Sequence, residues 1–104
     1  MSAPIVTVFR SRLRDDRADG YEATADEMER RARTMPGFVD FASFVAADGE
    51  RVSVIVFASR KAHDAWRDDP IHRAAQERGR LDWYAEYSIQ VCEQVAERGF
   101  THPT

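Results

Sequence analysis

The chain has 104 residues, with 15 Lys+Arg against 18 Asp+Glu and a formal net charge of -3. That length holds a single core, and that charge excludes the broad basic surface of a general nucleic-acid binder. No apolar run approaches the roughly 20 residues that span a bilayer, and the single cysteine, Cys92, leaves no internal disulfide.

The opening Met1-Ser2-Ala3-Pro4 carries no basic segment or signal-peptide core, so a cytoplasmic protein is expected. Ile5 to Leu13 reads as a strand, with Ile5, Thr7, Phe9, Ser11 and Leu13 on one face. Val6, Val8, Arg10 and Arg12 take the other. Asp19 followed by Glu22 has capping-box spacing. A helix is predicted from about Gly20 to Met35, with Tyr21, Ala25, Met28, Ala32 and Met35 as its apolar stripe. Pro36-Gly37 stops it.

Two strands follow, Phe38 to Ala46 and Val52 to Ala58, joined through Asp48-Gly49, where a tight turn needs residues that tolerate positive φ. Ser59 is the expected N-cap of a short helix from Arg60 to Arg67 that buries Ala62, Ala65 and Trp66. Asp69, with Pro70 at the first helical position, starts another helix from Ile71 to Arg78, closed by Gly79. Asp82 to Val95 reads as a long last strand. The domain is therefore expected over residues 1–95, with a loose tail over residues 96–104.

The order is β-α-β-β-α-β, with the second helical region in two pieces. This α+β pattern predicts the ferredoxin-like fold, a four-stranded antiparallel sheet with helices on one face. A sheet covered on one side only should be polar on the other. Here Val6, Val8, Val52, Val54 and Val56 oppose Ile5, Phe9, Ile55 and Phe57. Both faces are apolar, so roughly several hundred Å² would be left exposed. A second copy placed by two-fold symmetry covers it, and a homodimer is expected.

No metal-ligand cluster, phosphate-binding glycine loop or nucleophile elbow is present. Cys92 alternates within the last strand and reads as a small buried apolar residue. His63 is expected to face solvent. Arg10, Arg12 and Arg14 read as a solvated, ion-paired row, or as a lure for an acidic substrate. The group that stands out is Trp66, His72, Gln76, Trp83, Tyr84 and Tyr87. The second helical region must cross the sheet, so these side chains can either fill the core or wall a pocket for a planar organic ligand. At a helix N-terminus the macrodipole disfavours a protonated His72, which makes it a candidate neutral acid-base group.

Several segments carry a resemblance: Phe9-Arg10-Ser11-Arg12-Leu13, Met35-Pro36-Gly37-Phe38, Ser43-Phe44, Asp48-Gly49-Glu50-Arg51-Val52-Ser53-Val54 and Phe57-Ala58-Ser59-Arg60. It continues in Ala65-Trp66-Arg67, Pro70-Ile71-His72-Arg73-Ala74-Ala75-Gln76, Tyr84-Ala85-Glu86-Tyr87 and Val91-Cys92. Over most of residues 4–95 the chain resembles the antibiotic biosynthesis monooxygenase family of the dimeric α+β barrel superfamily. The resemblance implies a homodimer with a cavity between sheet and helices in each subunit. It also implies oxidation of a phenol- or quinol-like aromatic by dioxygen without metal or flavin. Trp66, His72 and Tyr87 are then the expected catalytic residues, and Phe9, Gln76, Trp83 and Tyr84 the expected substrate-binding ones. A haem-degrading branch is similar at Trp66, but Gln76 stands where its ligand histidine would fall and the first strand has no Asn. Haem binding through His72, or a non-catalytic small-molecule-binding dimer, are the alternatives.

Overall fold

The computed structural model describes residues 3–103; the expected domain and tail limits at 1 and 104 lie outside the described residues. The elements are β1 (Ile5–Leu13), α1 (Tyr21–Thr34), β2 (Phe38–Val45), β3 (Arg51–Phe57), α2 (Arg60–Arg67), α3 (Pro70–Arg78), a π-helical turn (Gly79–Trp83) and β4 (Tyr84–Glu93). The sheet order is β2-β3-β1-β4, with every neighbouring pair antiparallel. This is the predicted ferredoxin-like α+β arrangement. Residues 94–103 have no regular secondary structure, and Val95 and Phe100 are exposed there.

Register decides which side chains meet. Ile5 lies opposite Phe57, Thr7 opposite Ile55 and Phe9 opposite Ser53, so these share the helix-facing side of the sheet. Ala32 of α1, Phe57 of β3 and Trp66 of α2 form the buried centre, with Met28, Met35, Phe38, Phe41, Ile55 and Ala62 packed around it. At the other end of the same side the residues turn polar: Ser43 opposes Ser53, and Ser11 opposes Arg51. On the outer face Val6, Val8, Val54 and Val56 adjoin by register, with Ala42, Phe44 and Val52 beside them.

Turn chemistry follows the sequence in most places. Gly37 (φ 82°) and Gly49 (φ 91°) occupy the left-handed region after α1 and in the β2–β3 turn. Ser59 caps α2 by accepting from the Ala62 amide at 3.1 Å. Asp69 caps α3 by accepting from the His72 amide at 3.0 Å, with Pro70 at the first helical position.

Four expectations are corrected. Asp19 does not cap α1: Gly20 (φ 101°) holds the N-cap position, and the Glu22 carboxylate turns away to accept from Arg51. The Asp19 carbonyl instead accepts from the Trp83 indole, tying this loop to the far end of the chain. Gly79 follows the last residue of α3 as expected, but its φ of -58° is helical, and the backbone continues through a π turn to Trp83. Glycine is needed there because a Cβ would overlap the Tyr84 ring. In α2 the inward face is Ala62, His63 and Trp66, so His63 is buried and Ala65 exposed. The neighbouring Asp64 carboxylate accepts from His63 Nδ1 at 2.8 Å, which lets the polar ring leave water. Cys92 pairs with Val6 on the outer face and is exposed on the protomer, because no helix covers that side.

Candidate active site

A cavity of about 260 Å³ lies between the sheet and the three helices. Phe9, Ser11, Phe41, Ser43, Ser53 and Ile55 form its floor. Tyr21, Thr24, Ala25 and Met28 of α1 form one wall, and Trp66, His72, Ala75 and Gln76 the opposite one. Trp83 and Tyr84 close the end where the π turn enters β4. Six of the seven residues singled out from the sequence therefore converge: Phe9, Trp66, His72, Gln76, Trp83 and Tyr84.

Tyr87 is the exception. It shares Phe9's side of the sheet and stacks on that ring at 5.4 Å, but it lies outside the cavity lining. Its phenol oxygen accepts from Arg80 at 3.2 Å near the surface. β4 is an edge strand that α1 meets only at Tyr84, and Ile89 and Val91 further along it are exposed as well.

The reactive end is built around His72. Its ring lies parallel to the Trp66 indole, with centroids 4.0 Å apart and 16° between planes. Nδ1 is 3.0 Å from the Trp66 carbonyl oxygen, which can only accept, so Nδ1 carries the hydrogen. Nε2 is left with a lone pair and makes no side-chain hydrogen bond among the described residues, so it is an accessible atom of a half-buried ring. Burial pushes the imidazole below its ordinary value of 6.5, against smaller opposing effects of the Trp66 carbonyl and the Asp69 carboxylate. Desolvation thus leads in keeping the ring neutral. The side chain is a neutral base with one free nitrogen.

The backbone beneath His72 is held by a charged pair. Both oxygens of Asp69 accept from Arg31 of α1, at 2.7 and 2.8 Å, while one also caps α3 through the His72 amide. The Arg31 guanidinium holds the Asp69 carboxyl at about 2, with the backbone amides assisting. Burial pushes the Tyr84 phenol up, with Tyr21 beside it adding to the shift, so Tyr84 remains an O–H donor at neutral pH. Ser43 and Ser53 hydrogen-bond each other at 2.8 Å across β2 and β3, and Ser11 is buried beside them.

The structure adds Ser11, Ser43, Ser53, Tyr21 and Arg51 to the site. A signal for three of them stands in the sequence, since Ser11, Ser43 and Ser53 break an apolar alternation at inward positions. The Arg10 and Arg12 side chains project from the outer face and pair with Glu50, and with Asp48 and Glu86, as an ion-paired row should. They do not reach the cavity. The lining is ill matched to a haem: the cavity is small for a tetrapyrrole, and three serines, Ser11, Ser43 and Ser53, lie on its floor. Among the described residues no group of three or more His, Cys, Asp or Glu side chains is arranged to hold a metal ion. Nor is any helix among them long and apolar enough to cross a membrane.

The family described as antibiotic biosynthesis monooxygenase matches residues 4–78. The uncharacterized protein YqjZ of Bacillus subtilis is 34% identical over 101 residues, covering 97% of this chain and 89% of that protein. Among solved structures, Rv0793 from Mycobacterium tuberculosis superposes with a TM-score of 0.82 at 22% identity, covering 93% of this chain and 100% of that one. A variant of SnoaB, a cofactor-independent oxygenase from Streptomyces nogalater, superposes with a TM-score of 0.77 at 14% identity, covering 92% and 97%. At these identities the two structures establish the shared fold.

Proposed function

Because the chain belongs to the antibiotic biosynthesis monooxygenase family, we propose that it is a monooxygenase that oxidises a small phenol- or quinol-like aromatic with dioxygen, without metal or flavin. The observation that carries this reading is the free Nε2 of a half-buried, neutral His72 on the wall of an aromatic cavity. A phenol seated there gives its proton to Nε2. The resulting anion is electron-rich at the ring carbon opposite the oxygen, and that carbon reduces dioxygen directly. One oxygen atom stays on the carbon, which loses its hydrogen and becomes a quinone carbonyl. The other leaves as water. All four electrons come from the substrate, so phenol and dioxygen balance against quinone and water.

The other cavity residues have roles that suit this chemistry. Trp66 and Phe9 hold the ring plane by stacking. Tyr84 and Gln76 supply hydrogen-bond donors that stabilise negative charge as it develops. Trp83 excludes water at the closed end. Tyr87 acts at one remove, by backing Phe9. SnoaB, which shares the fold, is itself a cofactor-independent oxygenase. The working unit in this reading is a homodimer, supported by the contiguous valine surface on the outer face of the sheet.

Oxygen uptake by purified, colourless protein tests the proposal, with a panel of naphthols that carry hydrogen on the carbon opposite the hydroxyl as substrates. Uptake stoichiometric with quinone formed, and insensitive to chelator, is expected. A panel that yields no enzyme-dependent uptake overturns the oxygenase reading and leaves a binding protein.

A further inference from the structure

The cavity is graded along β3. At its Phe57 end Trp66 stacks over Phe57 and His72 over Trp66. Ile55 follows, flanked by Phe41 and Thr7, then Ser53 flanked by Ser43 and Phe9, and then Arg51 flanked by Val45 and Ser11. From Ile55 to Arg51 is four residues, or about 13 Å of extended chain. That stretch of floor leads from the apolar part of the cavity to the guanidinium.

Arg51 is the single Lys or Arg among the described residues that line the cavity. It is held in place: the guanidinium sits 5.2 Å from the Tyr21 ring centroid, and its side chain is 28% exposed. One nitrogen, Nη2, donates to Glu22, at 3.1 and 3.4 Å. Nε and Nη1 donate to no acceptor among the described residues, and both are accessible. Glu22 itself is 69% exposed at the rim, where an ion pair to a solvated carboxylate is weak. Of the other acidic residues on this wall, Glu29 is paired with Arg33, which leaves Asp26 at the exposed edge. A planar guanidinium fork with two open donor positions matches a carboxylate. The Ser43–Ser53 pair uses one hydroxyl hydrogen internally and leaves the second for a ligand oxygen.

We propose that the cavity takes an aromatic acid, the carboxylate being read by Arg51 in exchange for Glu22. This inference rests on the cavity being the substrate site, and not on the oxygen chemistry.

Calorimetric titration at pH 7.5 tests it, with a hydroxynaphthoic acid whose hydroxyl and carboxylate lie at opposite ends of the naphthalene. Its carboxamide is the neutral control. The wild-type protein is expected to bind the acid about tenfold tighter than the amide. Arg51→Gln should reduce that preference to less than twofold, with a circular dichroism spectrum matching wild type. Because Arg51 also braces Tyr21, Glu22→Gln supplies a second variant at an exposed position. Removing the competing carboxylate should tighten acid binding about threefold and leave the amide unchanged. Equal affinity of wild type for acid and amide overturns the proposal, as does a preference that survives Arg51→Gln. Unaltered acid binding by Glu22→Gln, or binding of neither compound, overturns it too. Arg51-dependent binding with no oxygen uptake removes the oxygenase reading and leaves this inference standing.

Discussion

The imidazole of His72 and the indole of Trp66 form a parallel pair 4.0 Å apart, joined further by the bond from His72 Nδ1 to the Trp66 carbonyl. Two residues on consecutive helices are thereby fixed in plane and in tautomer. The stack buries one face of the imidazole, and the carbonyl commits Nδ1 as donor. Base strength and direction at Nε2 follow from that geometry.

Replacing the base should remove proton transfer and leave the cavity. His72→Gln is expected to lower kcat by about two orders of magnitude while changing KM little. In wild type the acid limb of kcat/KM should fall below pH 6.5, because burial lowers the imidazole pKa and the active form is neutral. Steady-state oxygen uptake from pH 5 to 8 checks both. An acid limb centred above pH 6.5 contradicts the assignment.

The same depressed pKa has a consequence for stability. Below pH 6.5 the unfolded chain binds a proton at His72 that the folded chain resists, so folding stability must fall as pH drops from 6.5 toward the folded value. His72→Gln removes that contribution. Urea midpoints measured at pH 7.5 and 5.5 should differ less in the variant than in wild type.

Asp69 links α1 to α3 through Arg31 and caps the helix that carries His72. Asp69→Ala loses the cap and leaves Arg31 without its partner, which should cost about 2–4 kcal/mol in chemical denaturation. Asp69→Asn keeps the cap and should recover part of that loss. Asp69 also resists acid in the folded state, with a pKa of about 2. Its stabilising contribution is present above the ordinary 3.8 and is lost between 3.8 and about 2, well below the His72 window.

Gly79 allows the Tyr84 ring to lie against the π turn. Gly79→Ala forces that ring out of the cavity wall and should destabilise the fold by about 1–3 kcal/mol. It should also loosen ligand binding, since Tyr84 lines the site. Thermal unfolding and a titration of the same variant check both effects.

Val54 stands near the centre of the outer valine surface, between Val8 and Ala42 in register. Val54→Lys should turn a dimer into a folded monomer, because two buried like charges would face each other across the two-fold axis. Sedimentation velocity checks the mass and circular dichroism the fold. Wild-type protein that sediments as a monomer rules out the dimer.

Much of the site was legible because alternation along a strand assigns each side chain to a face without further information. Phe9, Trp66, Gln76, Trp83 and Tyr84 follow from that and from helical spacing. His63 and Ala65 did not, since Ala62 and Trp66 leave two adjacent stripes of α2 open. Only the Asp64 carboxylate, in contact with the ring, makes burial of His63 the cheaper choice. Gly79 reads as a stop because glycine so often ends helices. Its role here is set by a ring five residues later.

By itself the order and periodicity of the apolar residues determined the ferredoxin-like topology, the two-sided apolar sheet and the helix that carries His72. These follow from local rules of period and turn chemistry, which need no partner to be stated. The tertiary structure alone decided that His72 presents Nε2, that three serines and Arg51 face the same cavity, and that Tyr87 stays outside it. Those outcomes depend on register and on which helix covers which strand. They arise from contacts between segments distant in the chain, where no local signal reaches.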